Sequence, residues 1–191
     1  VRKALIKGLP AVLQPYITAS GELSAVWYED LRREAVGPGF YAKPVDALPA
    51  GLVSGIARHV VSPLFGQGTA TVASLLAGSV QKAVAGAGRS TIDSNVRRDR
   101  AKVTYARTPR AGCCAWCAML ASRGAVYGSS ESAGGEALKY HGLCRCTATP
   151  IFDGQTVPYD LAKYEEMYAA MRDPETGTHD LSNIRSKYGI R

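Results

Sequence analysis

Histidine is scarce in this chain: 191 residues hold three, His59, His141 and His179. No H-E-x-x-H and no G-x-S-x-G occurs, which removes the helix-borne zinc-protease motif and the nucleophile elbow of serine hydrolases. No charge-free apolar run reaches the roughly 20 residues that a spanning helix needs, so no membrane span is expected. The basic, mildly apolar start, "VRKALIKGLPAVLQ", is broken by Lys7, Gly8 and Pro10 and does not read as a signal peptide. The opening Val fits a processed or trimmed product. Internal repeats and low-complexity blocks are absent too, which argues against a repeat array. Acidic residues are the minority, 16 against 23 Lys and Arg, for a net charge of +7 and a pI of about 9.3. A basic balance favours contact with phosphate or another acidic surface.

Apolar residues make up 46% of the chain, enough to fill a core, and the length suits one domain with helical extensions. Residues 18–36 read as a helix capped by Ser20, with Leu23, Val26, Trp27 and Leu31 at helical spacing. Pro38, Pro44 and Pro49 mark an extended connection over 37–50. A second helix is expected near 50–61, stopped by Pro63. Thr69 or Thr71 can cap a long third helix whose apolar stripe is Val72, Leu75, Leu76, Val80 and Val84, then Ile92 and Val96. "AGAG" at 85–88 weakens its middle and allows another backbone to come close. Beyond 103 the texture changes: "VTYAR" reads as a strand, "CAMLASRG" as one or two helical turns and "AVYGSS" as a short strand. "SAGGEALKY" reads as a flexible link into a brief helix, and "CRCTATPIF" as a second full strand. Residues 160–171 form an amphipathic helix opened by Asp160, and the polar tail from Arg172 is expected to wrap a partner or stay mobile. The fold class is therefore α+β. A helical region spans 1–102, a mixed α/β segment bearing Cys and His spans 103–153, and a C-terminal helix with an extended arm spans 154–191.

The basic excess concentrates in residues 89–110, where Arg89, Arg97, Arg98, Arg100, Lys102, Arg107 and Arg110 face only Asp93 and Asp99. Such a run reads either as a solvated helix face or as a face turned towards DNA, with Arg97, Arg98, Arg100 and Lys102 as the contacts.

The five cysteines fall into two clusters, "CCAWC" at 113–117 and "CRC" at 144–146, with His141 beside the second. Cys114 and Cys117 form a C-x-x-C pair, and His141, Cys144 and Cys146 an H-x-x-C-x-C group. A tight turn lets the first pair reach one ion. On a strand, Cys144 and Cys146 would point to the same side. Zn²⁺ takes this mixture of S and N ligands in about four places, so five candidates compete and Cys113 is the spare thiol. Other readings stand beside a structural zinc site. Disulfides would leave one cysteine over, and adjacent Cys113 and Cys114 make awkward partners. Free thiols can simply pack. A catalytic zinc of the deaminase kind needs an upstream H-x-E, and His59 has no Glu two residues on.

"CAWCAMLASRGAVYGS" followed by "YHGLCRCTATPIF", after a long helix and "VTYARTP", resembles the Mu F-like minor head proteins of tailed bacteriophages. The likeness is strongest to the branch found in phages of actinobacteria. It covers residues 95–152, with Cys114, Cys117, His141, Cys144 and Cys146 on the motif positions; Gly142 stands where the family often has Pro. The resemblance implies a few-copy virion component packaged inside the head near the portal. Portal or major capsid protein would be its partners, and packaged double-stranded DNA would be touched non-specifically. It would be made in the reducing bacterial cytoplasm, where thiols stay available to metal. Members of this branch are often labelled capsid maturation proteases, and a processing protease is the alternative function. Nothing in the residues favours it: a Cys113–His59 pair has no motif around it, and His141 is better used as a ligand.

Overall fold

The computed structural model describes the chain except residues 48, 67–70, 136–139, 141–143, 174 and 191. It forms two compact units, Val1–Asp99 with Tyr140–Leu143, and Arg100–Lys139 with Cys144–Arg191. The α+β class follows from three long or medium helices in the first unit and a two-stranded antiparallel sheet with three short helices in the second.

The first unit is built from α1 (Arg2–Val36), α2 (Leu52–Val60) and α3 (Val72–Arg98). α1 starts well before the expected residue 18 and runs through Pro10 and Pro15. An interior proline costs about 3 kcal/mol. Leu9, Leu13 and Ile17 repeat every four residues and pack with Ile56, Val60 and Ala87, and each such burial returns about 1.5–3 kcal/mol. Packing therefore overrides local propensity. The expected stripe is also displaced. Leu23 is 71% and Val26 58% exposed, while Gly21, Ala25 and Tyr28 face inward. Small residues win this face because backbone comes close: a Cβ on Gly21 would run into the carbonyl oxygen of Val45.

Thr71 caps α3 in a reciprocal capping box with Ser74; Thr69 lies outside the described residues. Val72, Leu75, Leu76 and Val80 pack on the core as the spacing predicts. Further along, Ala87, Gly88, Thr91 and Asn95 are buried instead of Ile92 and Val96. Gly88 lets α1 approach, since a Cβ there would lie 2.6 Å from Ser24 Oγ and 3.0 Å from Ser20 Oγ. Thr91 and Asn95 hold the extended 37–50 connection. The Val45 amide donates to Thr91 Oγ1 at 2.9 Å, the Lys43 amide donates to Asn95 Oδ1 at 2.9 Å, and Asn95 Nδ2 returns a bond to the Lys43 carbonyl at 2.9 Å. A segment with no strand partner thus finds its backbone bonds in side chains.

In the second unit β1 (Val103–Thr108) pairs antiparallel with β2 (Thr147–Phe152), Val103 opposite Phe152 and Thr108 opposite Thr147. Pro150 faces Tyr105 and has no N–H to give. Tyr105 turns its backbone outward instead, donating to Tyr127 O at 2.7 Å and accepting from the Tyr127 amide at 3.2 Å. The expected strand at "AVYGSS" is reduced to this one bridge. The brief helix expected from "SAGGEALKY" falls largely on 136–139, outside the described residues.

α4 (Ala115–Ala121) packs on β1, and α5 (Leu161–Ala169) and α6 (Leu181–Tyr188) pack on α4. Asp160 caps α5 by accepting the Lys163 amide at 3.2 Å. The described part of the tail from Arg172 is ordered by its own hydrogen bonds and by α6. Asp173 Oδ1 accepts the Glu175 and Thr176 amides at 2.8 and 2.9 Å, and Asp180 caps α6. Ile184 of α6 is fully buried with Ala115, Ala118, Met167 and Met171. A largely polar stretch concealed Ile184 and the half-buried Leu181, Tyr188 and Ile190 that pack on the same core.

Candidate metal centre

Arg107 on β1 stands opposite Ala148 on β2, so their side chains share a face. Cys144 and Cys146 come just before β2, outside the strand, and the Arg107 guanidinium reaches the Cys144 sulfur. Cys117 arrives from the first turn of α4, three residues after Cys114 at its N-cap. The sulfurs of Cys117, Cys144 and Cys146, all buried, lie within 4.8 Å of one another. Three buried thiols at this spacing could hold a metal ion.

The spacing can be tested. Tetrahedral zinc with Zn–S of about 2.3 Å separates its sulfurs by about 3.8 Å. The Cys117 and Cys144 sulfurs are 3.9 Å apart. The thiols therefore stand near where ligands of such an ion would be, and the five cysteines are not joined by disulfides.

Arg107, on the strand expected from "VTYAR", is a site residue that the sequence did not single out. It belongs to the basic run, yet it is 1% exposed. Its Nη2 donates to Cys117 Sγ at 3.1 Å and to Cys144 Sγ at 3.6 Å, and its Nη1 donates to the carbonyls of Gly134 at 2.9 Å and Ala133 at 3.4 Å. Gly134 has φ +71, and a Cβ there would meet Leu120 Cδ1 at 2.7 Å; glycine lets this backbone close on the guanidinium. The available signal was the period of two in "VTYART", which puts Tyr105 and Arg107 on one face. Only the fold shows that the guanidinium reaches the cysteines.

The sulfurs perturb one another. Cys117 is pushed up from the ordinary thiol value by its hydrogen bonds with Cys114, Cys144 and Cys146 and by burial, against the pull of Arg107. Cys146 is pushed up chiefly by its bond to Cys113. Cys144 is lowered by bonds from Cys117 and Cys146, and Cys113 is lowered by its bond from Cys146. A bound cation would require its thiol ligands to give up their protons. Cys113 is half-buried beside Tyr164, on the edge of the α4–α5–α6 core.

Other expected site residues are placed as follows. Cys114 is half-buried next to Cys117, and His141 lies outside the described residues. His59 is exposed on α2, and His179 stacks on Tyr168 with ring centroids 5.0 Å apart. Arg97 pairs with Asp93. Arg98 is committed to structure, donating to Asn95 Oδ1 at 2.6 Å and lying over the Phe40 ring. Arg100 and Lys102 are exposed. No helix among the described residues is long and apolar enough to cross a membrane.

Fold and site together define an α+β protein with a buried sulfur–guanidinium centre. The model of the VG15 protein family matches residues 1–171, and the chain belongs to that family, a phage-derived one. No curated protein and no solved structure matches it.

Proposed function

We propose that this chain is a minor capsid protein of a tailed-phage virion, acting in head morphogenesis inside the head near the portal or shell. In this reading it is structural rather than enzymatic, and its sulfur centre holds a zinc ion that staples the second unit. Membership of a phage-derived family and the Mu F-like motif around the cysteines support the setting.

The observation that carries an assembly role is the outer face of α1. Val12, Tyr16, Leu23 and Val26 are 55%, 60%, 71% and 58% exposed, and they fall at the 4-7-3 spacing of one helical stripe. A stripe of this kind on a helix whose other face is already packed is a surface for a protein partner. Portal or major capsid protein is that partner here. Zinc is supported by the 3.9 Å Cys117–Cys144 separation and by the burial of Cys117, Cys144 and Cys146, which suits a structural rather than a substrate-accessible site. The exposed Arg100 and Lys102 suit non-specific contact with packaged double-stranded DNA.

The test is incorporation. Quantitative mass spectrometry of purified particles should find the wild-type chain in low copy and should find it depleted when Leu23→Asp and Val26→Asp are combined. Full-length shell protein in both particles fits a structural role. Absence of the wild-type chain from particles contradicts the reading. Shell protein left uncleaved only when Cys113 or Cys117 is replaced would favour the processing protease.

A further inference from the structure

Arg107 is a permanent cation in a buried position, and its hydrogen bonds reach the sulfurs themselves. Binding a divalent ion deprotonates the ligating thiols, so negative charge gathers on Cys117, Cys144 and Cys146. Such charge in a low-dielectric interior is costly unless donors are already aimed at it. Arg107 supplies these donors from a rigid setting. It stands on a paired strand, and two carbonyls of the 133–134 turn grip its other nitrogen at 2.9 and 3.4 Å. Its fork therefore holds its direction whether or not the sulfurs carry a metal.

We infer that Arg107 is the outer-sphere positioning residue of the metal centre, orienting the Cys117 and Cys144 sulfurs and drawing off their charge through N–H···S bonds. The inference rests on the metal-site reading above. A hydrogen bond to a ligating thiolate stabilises the sulfur lone pair from which charge-transfer absorption starts. Removing it moves that absorption to lower energy. Lysine at this position would keep the charge and lose the fork.

The full-length protein, loaded with zinc or with cobalt as a coloured substitute, tests this. Arg107→Met should weaken metal affinity by about 10–100-fold and shift the sulfur-to-cobalt band to lower energy, with Arg107→Lys in between. Thr108→Val is the structural control. It removes the 2.7 Å Thr108–Thr149 hydroxyl bond one residue along the same strand, and it should leave the band unmoved. Should Arg107→Met fail to fold, cadmium-loaded wild-type protein decides: magnetisation transferred from cadmium to the Arg107 Nη protons demonstrates the N–H···S bonds, and its absence overturns the inference. Wild-type affinity and an unshifted band in Arg107→Met overturn it as well, while leaving the metal site standing. Wild-type protein that takes up neither zinc nor cobalt defeats the metal reading instead.

Discussion

At Cys117 burial, hydrogen bonding and metal geometry meet on one atom. Its hydrogen bonds with Cys114, Cys144 and Cys146 and its burial push the thiol above its ordinary value, and its sulfur lies 3.9 Å from Cys144 and accepts from Arg107 at 3.1 Å. Cys117→Ser should abolish stoichiometric zinc binding, whereas Cys113→Ser should retain it; both are read by metal analysis of the purified variants. Tyr159 makes a separate residue-scale prediction. Its hydroxyl donates to the Ala121 carbonyl at 2.8 Å, and burial lifts its pKa from 10.0 to about 12. A folded-state pKa raised in this way stabilises the fold fully below the unfolded value. The contribution fades as pH rises from about 10 through about 12. Urea midpoints should therefore fall more steeply over that window for the wild type than for Tyr159→Phe; parallel curves would exclude a protonated, hydrogen-bonded Tyr159. From the two cysteine clusters the structure brings Cys117, Cys144 and Cys146 together, and Cys114 stays outside that group of three. Arg107 was not legible in the sequence, because a charged residue in a basic run looks solvated until the fold shows what it reaches.

Among the elements, α1 and α3 illustrate where sequence reading stops. Caps and apolar repeats located α2, α3 and α5, and Thr71, Asp160 and the Val72–Val80 stripe do what their spacing implies. Faces that meet through small residues gave no such signal. Gly21, Ala25, Gly88 and Asn95 are buried because backbone and hydroxyl groups come close there, while larger apolar neighbours point out. Gly88→Val should accordingly destabilise the first unit by about 1–3 kcal/mol through overpacking, seen as a lowered denaturation midpoint. No change would mean that α1 and α3 do not approach as closely as Ser20 and Ser24 indicate. The polar tail hid α6 for the converse reason, since a few apolar side chains spaced among polar ones, Ile184 with Leu181, Tyr188 and Ile190, fix it. Ile184→Ala should cost about 2–5 kcal/mol and release residues 181–188 to rapid amide exchange.

On the scale of the whole molecule, the two units draw on different sources of stability. The first has three packed helices around Leu9, Leu13, Ile17, Ile56 and Val60. The second has a two-stranded sheet, short helices and a core rich in alanine and methionine. A two-stranded sheet is marginal without further support, and a metal held by side chains from β2's approach and from α4 would cross-link it. Chelation should therefore raise amide exchange around β1, β2 and α4 and leave that of α1 and α3 unchanged. Exchange that rises equally in both units would show that the metal is not a local staple. The most direct test of the account is the zinc content of purified protein, measured with a count of reactive thiols before and after chelation. The account predicts about one zinc per chain, with Cys117, Cys144 and Cys146 unreactive until the metal is removed. Protein with no metal and all five thiols reactive while still folded would contradict it.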